Sequence, residues 1–471
     1  MDMNILGNLS LIAILLPLFL GLYLLFSRLS LSYINKGILN NSNIFINSIS
    51  FIFFLCSYFI SKNNEVFYKS FEIFSFEKYS LNFGIRVDEN NFLFLIITSF
   101  LFLLFSLFTK KYFKERKQFI FTKQRFYIYL NFLAFSIYVF FISTNLFQAI
   151  IFLSMQISLI YVFSYLDIFK NSTNHNSTRF NRISIIGNFA FIIISLILLK
   201  YSIYSQNEYD TSLSFSQLNP LIDFTCQVAT TFENYLLYFC CFLLISSRLM
   251  IFPLSCYYSF FGNSSNVFYL SVNALANGLV GMFLFLQFIS IFTISENHIF
   301  YISIFLAIGI IFALVQILFE QNIKIIFGYL TSAINSIFII LFFNFDCKIV
   351  LYSYFIYHII QTLFLMNLFI KNKTNIPKRL ISRYNNFFLE KIHINLFEKW
   401  SNLITKYTSF INKQIFEKFL VIFIDLFNVF TTKFIIKASK KYIFNIIKII
   451  LISFASITLF AIYMTLFGGL N

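Results

Sequence analysis

The fold is decided by residues 235–287, YLLYFCCFLLISSRLMIFPLSCYYSFFGNSSNVFYLSVNALANGLVGMFLFLQ. This stretch consists of two long apolar segments joined by a small polar loop. Arg248 lies inside the first segment, five residues before Pro253. A charged side chain at a bilayer centre costs about 2.5–3.5 kcal/mol on insertion scales, so a helix turns it toward protein, water or a charge pathway. Proline removes a backbone donor and disfavours helix just before it, so we predict a broken transmembrane helix at Pro253.

The composition is typical of a polytopic membrane protein. Of the 471 residues, 59% are hydrophobic and only 11% are charged, and the mean hydropathy is +0.79. These values lie far outside the range of soluble globular domains. The 72 Phe and 28 Tyr residues indicate an AT-rich genome. We therefore predict an all-α bundle of transmembrane helices encoded in an organelle genome.

The charge and the cysteines exclude several classes of function. The net charge of +16 is spread over loops and the C-terminal tail, without the basic and aromatic motifs of nucleic-acid-binding folds. Attraction to anionic lipid, such as cardiolipin, explains it better. The six cysteines lack metal-ligand spacing, and no phosphate-binding or paired-carboxylate motif occurs. We predict no nucleic-acid partner and no catalytic, cofactor or metal site within this chain.

A helix needs about 20 apolar residues to cross the hydrocarbon core. On that rule the sequence predicts twelve spans, the seventh broken at Pro253. Residues 1–371 then form the transmembrane bundle. The predicted spans are 5–26, 43–61, 91–108, 127–144, 147–166, 183–204, 235–258, 267–291, 299–319, 324–343, 349–370 and 442–467.

The pattern changes beyond residue 371. In residues 372–441 apolar residues recur at helical spacing and lysines occupy the other faces. This pattern predicts a long amphipathic region lying along a membrane surface or a neighbouring subunit. A solvated helical connector is the alternative. Residues 442–471 are predicted to be a C-terminal membrane anchor.

Four stretches resemble, in order, the antiporter-like membrane subunits of respiratory complex I, the NADH:ubiquinone oxidoreductase. Arg248 and Pro253 match the Lys-x4-Pro pattern of the family, which comprises NADH dehydrogenase subunits 2, 4 and 5. Asn322, Lys324 and Tyr329 match its Asn-Leu-Lys-Arg-Leu-Leu-Ala-Tyr segment. The four stretches are 125–166, 235–287, 320–339 and 352–368.

The resemblance implies which residues form the family's proton pathway. Arg248, Lys324 and His358 are the pathway candidates, although Lys324 could simply extend to the membrane surface and His358 could be a hydrogen-bonded core residue. Arg248 replaces a lysine, and a guanidinium is a poor proton carrier. Other ionisable positions of the family are occupied by Ser154, which replaces a glutamate, and by Asn273 and Thr362.

The resemblance also implies a function. This chain would be a non-redox membrane-arm subunit of the translocase, contributing to or scaffolding proton translocation coupled to quinone reduction through a degenerate pathway. NADH, FMN, Fe–S clusters and ubiquinone would bind other subunits. Its partners would be other membrane-arm subunits, membrane lipids and a separate chain supplying the second half of the family fold, in the mitochondrial inner membrane.

Several alternatives stay open. Gln156 fits the N-terminal half of a split subunit 2, whereas the lateral region and final span also fit a shortened subunit 5. A helix broken beside a buried charge is also consistent with a stand-alone cation/proton antiporter-type secondary transporter, although inverted repeats are not evident. An organelle-specific structural or assembly subunit of the membrane would need few charges, as found here.

Overall fold

The computed structural model describes the chain in ranges up to residue 370. All of these residues belong to one compact unit, Met1–Asn385. The predicted amphipathic region 372–441 and the predicted last span 442–467 lie outside the described residues. The structure describes residues 2–29, 36–61, 67–76, 79–115, 120–165, 174–205, 213–255, 276–293, 296–320, 322–344 and 347–370.

The described part is a bundle of helices with one β-hairpin, and the predicted class of an all-α polytopic membrane protein is confirmed. The helices are α1 (Asp2–Leu29), α2 (Lys36–Ser61), α3 (Glu89–Glu115), α4 (Ile120–Phe141), α5 (Leu146–Tyr165), α6 (Asn174–Tyr204), α7 (Leu218–Val228), α8 (Thr231–Leu249), α9 (Gly278–Gln287), α10 (Ile289–Thr293), α11 (Glu296–Phe319), α12 (Ile323–Asn344) and α13 (Cys347–Ile370); the strands are β1 (Phe67–Phe76) and β2 (Tyr79–Val87).

The predicted spans correspond closely to these helices. Each of the eleven spans predicted before residue 371 contains a helix. Seven helices of the described residues are long and apolar enough to cross a membrane. The apolar part of α6, Ile183–Tyr204, matches the predicted span 183–204. The apolar segments Leu146–Ile160 in α5 and Gly278–Gln287 in α9 are shorter, and the first part of the predicted span 267–291 lies outside the described residues.

The β-hairpin is a feature that the sequence analysis missed. Strands β1 and β2 pair antiparallel, from Phe67 opposite Val87 to Phe76 opposite Tyr79. Their aromatic and β-branched residues favour strands, but a search for runs of about 20 apolar residues passes over a short hairpin. The hairpin is held at the start of α5, where Gln148 Nε2 donates to the Gly84 carbonyl at 3.0 Å.

The broken helix ends earlier than predicted. Helix α8 stops at Leu249, and Met250 has left-handed backbone angles, φ 52° and ψ 38°. The chain then turns through residues 251–253, including a cis peptide bond between Phe252 and Pro253, and residues 254–255 form a short 3₁₀ turn. The predicted helix 235–258, broken at Pro253, is therefore wrong from Met250 to Phe252, and its residues 256–258 lie outside the described residues. A left-handed residue after a helix is a common C-terminal stop, and it acts here before Pro253 is reached.

Candidate functional site

Arg248 is the centre of the candidate site. It lies in the last turn of α8, and it is the largest side chain of the described core that is completely buried, with 0% exposure. Its Nη2 donates to Asn188 Oδ1 on α6 at 2.7 Å. Arg248 forms no ion pair with any described residue. A permanent positive charge is thus held inside the bundle by a neutral amide.

Asn188 connects this charge to α5. Its Nδ2 donates to Ser154 Oγ at 3.1 Å. A guanidinium has only hydrogen-bond donors, so Asn188 must turn its carbonyl oxygen to Arg248 and its amino group to Ser154. We call Ser154, Asn188 and Arg248 the polar chain. It links α5, α6 and α8 through one amide side chain.

Asn188 is the functional candidate that sequence reasoning missed. It lies in the predicted span 183–204 within the run ISIIGNFAFIII, where it is the only amide. An amide in a membrane-buried helix hydrogen-bonds across to other helices, so its position alone is a usable signal. Its partner could not be found in this way because Asn188 and Arg248 are 60 residues apart.

Two glycines allow the helices around the polar chain to approach closely. A Cβ at Gly187, next to Asn188, would overlap with Ser247 Oγ and would lie 2.8 Å from Ser247 Cβ. A Cβ at Gly281 on α9 would lie 2.9 Å from Arg248 Cβ. Cβ contacts below 3.0 Å essentially never occur. Helices α6 and α9 therefore pack backbone-close against the end of α8 that carries Arg248.

His358 lies against the same helix α9. It is 1% exposed on α13, and a Cβ at Gly278 would lie 2.6 Å from its Cε1. The ring of Tyr354 stacks with it at 5.8 Å between centroids, and the Tyr354 hydroxyl donates to the Gly278 carbonyl at 3.1 Å. Thr362 lies one turn further along and donates to the His358 carbonyl at 2.6 Å. Helix α9 thus contacts two of the three predicted pathway residues.

Lys324 lies apart from the polar chain. It is in the first turn of α12 and is 6% exposed, so it does not reach out to solvent as a surface lysine would. Helix α12 contacts the broken helix instead through Asn335, whose Nδ2 donates to the Leu249 carbonyl at 2.8 Å. Eleven residues separate Lys324 and Asn335, or roughly 16 Å of helix.

Two further predicted positions, Pro253 and Asn273, lie away from regular helix or outside the described residues. Pro253 lies in the non-helical turns after α8, and Asn273 lies outside the described residues. Within the described part of the chain, no three His, Cys, Asp or Glu side chains come together as metal ligands would.

The opposite end of the α6–α8 pair carries an exposed ion pair. Lys200 Nζ lies 2.5 Å from Glu233 Oε1, and the Tyr201 hydroxyl donates to Glu233 Oε2 at 2.5 Å. Thr230 Oγ1 also donates to Glu233 Oε2, at 2.9 Å. Glu233 precedes the predicted span that begins at residue 235. Its hydrogen bond from Lys200, followed by that from Tyr201, lowers the pKa of its carboxyl to about 2.

Comparison with known proteins adds a structural likeness. No protein-family model matches the chain, and no curated protein matches it. The fold is similar to a chain in the structure of the membrane-bound sulfane sulfur reductase (MBS), an archaeal respiratory membrane complex, with a TM-score of 0.59 and 14% sequence identity. The match covers 75% of this chain and 55% of that chain, so this chain spans about half of its length. At this identity the likeness concerns the fold.

Proposed function

We propose that this chain is a non-redox membrane-arm subunit of a complex I-type respiratory oxidoreductase, where it contributes to or scaffolds proton translocation coupled to quinone reduction. The observation that carries the proposal is the polar chain: a fully buried arginine joined through Asn188 to Ser154. A guanidinium keeps its proton over the physiological pH range. Arg248 therefore acts as a fixed positive charge in the buried polar axis, and it does not pass protons on.

The fold supports this proposal, because the similar chain comes from a respiratory membrane complex. As partners we propose the other membrane-arm subunits, membrane lipids such as cardiolipin, and a separate chain that resembles the second half of the antiporter-like fold. NADH, FMN, Fe–S clusters and ubiquinone would then bind other subunits. The proposed location is the mitochondrial inner membrane.

The first test asks which proteins associate with this chain in the membrane. The native membrane is extracted with mild detergent, separated on a native gel, and the band that holds this chain is identified by mass spectrometry. We expect co-migration with NADH-oxidising subunits. Migration apart from every respiratory subunit would overturn the proposal and favour a stand-alone secondary transporter, for which a helix that stops beside a buried charge is also typical.

The second test concerns Arg248 itself. In the assembled complex, Arg248→Met removes the fixed charge, and we expect fewer protons pumped per NADH oxidised. Arg248→Lys keeps a positive charge and should retain more of the pumping. Glu233→Gln, at the exposed end of α8, is the matched control and should pump normally. Unchanged pumping in Arg248→Met would show that the charge has no part in translocation.

A further inference from the structure

Two arginines lie near each other where α1 ends and α4 begins. Gln124 Nε2 on α4 donates to the Leu24 carbonyl and to Ser27 Oγ on α1, both at 3.0 Å. These bonds bring the neighbouring residues Arg28 and Arg125 to the same level of the bundle, where their positive charges repel each other. Both side chains are partly exposed, so a group outside the bundle can reach them.

No described group of the protein neutralises this pair. Neither Arg28 nor Arg125 forms an ion pair with a residue that the structure describes. Arg125 Nε is buried without a hydrogen-bond partner. The carbonyl end of α1 offers Arg28 a partial negative charge, but Arg125 lies near the start of α4, where the helix dipole is positive. Like charges held together without an anion are unfavourable, so the pair favours an anionic partner.

The pair lies at the level of the lipid headgroups. Arg28 is the last residue of the apolar span Leu9–Arg28, and Arg125 precedes the predicted span 127–144. The same end of the bundle carries the basic segment TKKYFKERKQFIFTKQR, residues 109–125. An excess of Lys and Arg marks the inner face of a membrane, whose lipids include anionic ones. The anion within reach of the pair is therefore a lipid phosphate.

An aromatic stripe on α4 leads from the pair toward the membrane interior. Of the α4 side chains that the structure describes, residues 124–141, four are partly exposed and the others are buried. The four are Arg125, Tyr129, Phe132 and Phe135, whose spacing places them on one face of the helix. Tyr129 interacts electrostatically with both arginines. A phospholipid presents the complementary order, a charged headgroup followed by apolar chains.

We propose that Arg28 and Arg125 bind the phosphate of an anionic phospholipid, whose acyl chain lies along Tyr129, Phe132 and Phe135. Guanidinium groups suit this role because their fixed N–H donors match phosphate oxygens. The proposal gives a site to the lipid contact included in the proposed function, and it rests on that function only in placing the chain in a membrane. Its test measures lipid binding, so its failure is distinguishable from a failure to co-migrate with respiratory subunits.

The test adds defined lipids to the purified protein. The full-length chain, with whatever subunits accompany it, is depleted of lipid in detergent, and its thermal midpoint is measured with phosphatidylglycerol, phosphatidylcholine or inorganic phosphate. We expect phosphatidylglycerol to raise the midpoint saturably by a few degrees, whereas zwitterionic phosphatidylcholine and inorganic phosphate should not. An equal rise with inorganic phosphate would show that the site takes a free anion and would overturn the lipid assignment, as would no rise with phosphatidylglycerol.

Substitutions test whether the two arginines form the site. Arg28→Gln and Arg125→Gln should each lower the affinity for phosphatidylglycerol by about fivefold or more, as expected for loss of one basic residue beside an anionic lipid. Lys110→Gln is the matched control, because it removes one positive charge from an exposed side chain that bonds Asn41 at the same end of the bundle. Lys110→Gln should bind phosphatidylglycerol normally. Equal losses in all three variants would indicate general attraction and overturn the site.

A second comparison separates lipid binding from a structural role of the arginines. Without lipid, Arg125→Gln removes the repulsion from Arg28, so its thermal midpoint should equal or exceed that of the unchanged protein. A lower midpoint of Arg125→Gln without lipid would show that the protein itself pairs Arg125, which contradicts the proposal. Native mass spectrometry of the unchanged protein should also detect one phosphatidylglycerol retained per chain, and its absence would reject the site.

Discussion

The two ends of the α6–α8 pair differ in how a charged side chain is paired. At the exposed end, Glu233 receives hydrogen bonds from Lys200, Tyr201 and Thr230, and the charges of Lys200 and Glu233 cancel. At the buried end, the one hydrogen-bond partner of Arg248 among the described residues is the neutral Asn188. The charge is fully paired where water could solvate it and unpaired where water is excluded.

This difference suggests separate roles for the two ends. Exposed ion pairs contribute little to stability because water competes with them. A buried charge without a carboxylate lowers stability unless another interaction compensates it. The ion pair at the exposed end thus stabilises the contact between α6 and α8 only modestly. The buried end keeps a costly charge, which is the pattern expected of a functional group inside a membrane.

The strongest way to break the comparison is to remove the partner of Arg248. Asn188→Leu should lower the free energy of unfolding by about 3 kcal/mol, because it leaves a buried guanidinium without its protein acceptor. Adding Arg248→Met should recover most of this loss, since both polar groups are then replaced by apolar ones. A double-mutant cycle on thermal or denaturant unfolding measures the coupling. Additive effects of the two substitutions would contradict the interaction.

The next test concerns the close approach that brings Asn188 to Arg248. Gly187→Ala should lower the free energy of unfolding by about 1–3 kcal/mol, because the new methyl group overlaps with Ser247 and forces α6 from α8. Ser247→Gly in the same chain should restore part of the loss. Gly21→Ala is the matched control, because its new Cβ would meet only ordinary contacts, at 3.5 Å or more.

That control also sharpens the interpretation. Alanine has a higher helix propensity than glycine by about 1 kcal/mol, so Gly21→Ala in α1 should leave the protein unchanged or slightly more stable. The thermal midpoint of each purified variant provides the measurement. Equal destabilisation by Gly187→Ala and Gly21→Ala would mean that the loss at Gly187 does not come from contact with Ser247.

The sequence predicted the helices far better than the contacts between them. Apolar runs of about 20 residues set the spans, and the apolar part of α6, Ile183–Tyr204, matches its predicted span because no other signal competes there. The hairpin was missed because strands are too short for that rule. The end of α8 was placed at Pro253 because proline is the visible local signal, whereas Met250 and the hydrogen bond from Asn335 act through tertiary structure.

The candidate site was only partly accessible from sequence. Arg248 was identifiable because a charge inside an apolar run is rare. Ser154 was identifiable because the resemblance placed it where the family has a glutamate. Asn188 lies on a third helix, α6, and the close packing of α6 against α8, as at Gly187 and Ser247, brings it to Arg248. Which polar residues of separate helices meet depends on helix rotation and crossing, which a single sequence does not specify.

The smallest expected effect concerns the exposed end. Glu233→Gln removes the charge that pairs with Lys200 and should cost about 0.5 kcal/mol of unfolding free energy, as for other exposed pairs. The folded pKa of Glu233, about 2, lies below its ordinary value of 4.5. Its contribution is therefore fully present above pH 4.5 and is lost as the pH falls toward 2.

The pH dependence distinguishes the two ends of the helix pair. Between pH 4.5 and 2, the unchanged protein should lose slightly more stability than Glu233→Gln, and the two unfolding curves should converge at the acidic end. High salt should shrink the difference further, because exposed charges are screened. Asn188→Leu, measured in parallel, should remain destabilised at every pH and salt concentration, since its defect is buried. If the free energies of unfolding of the unchanged protein and Glu233→Gln differ by a constant amount from pH 7 to pH 2, the Glu233 carboxylate does not provide the stabilising charge at the exposed end.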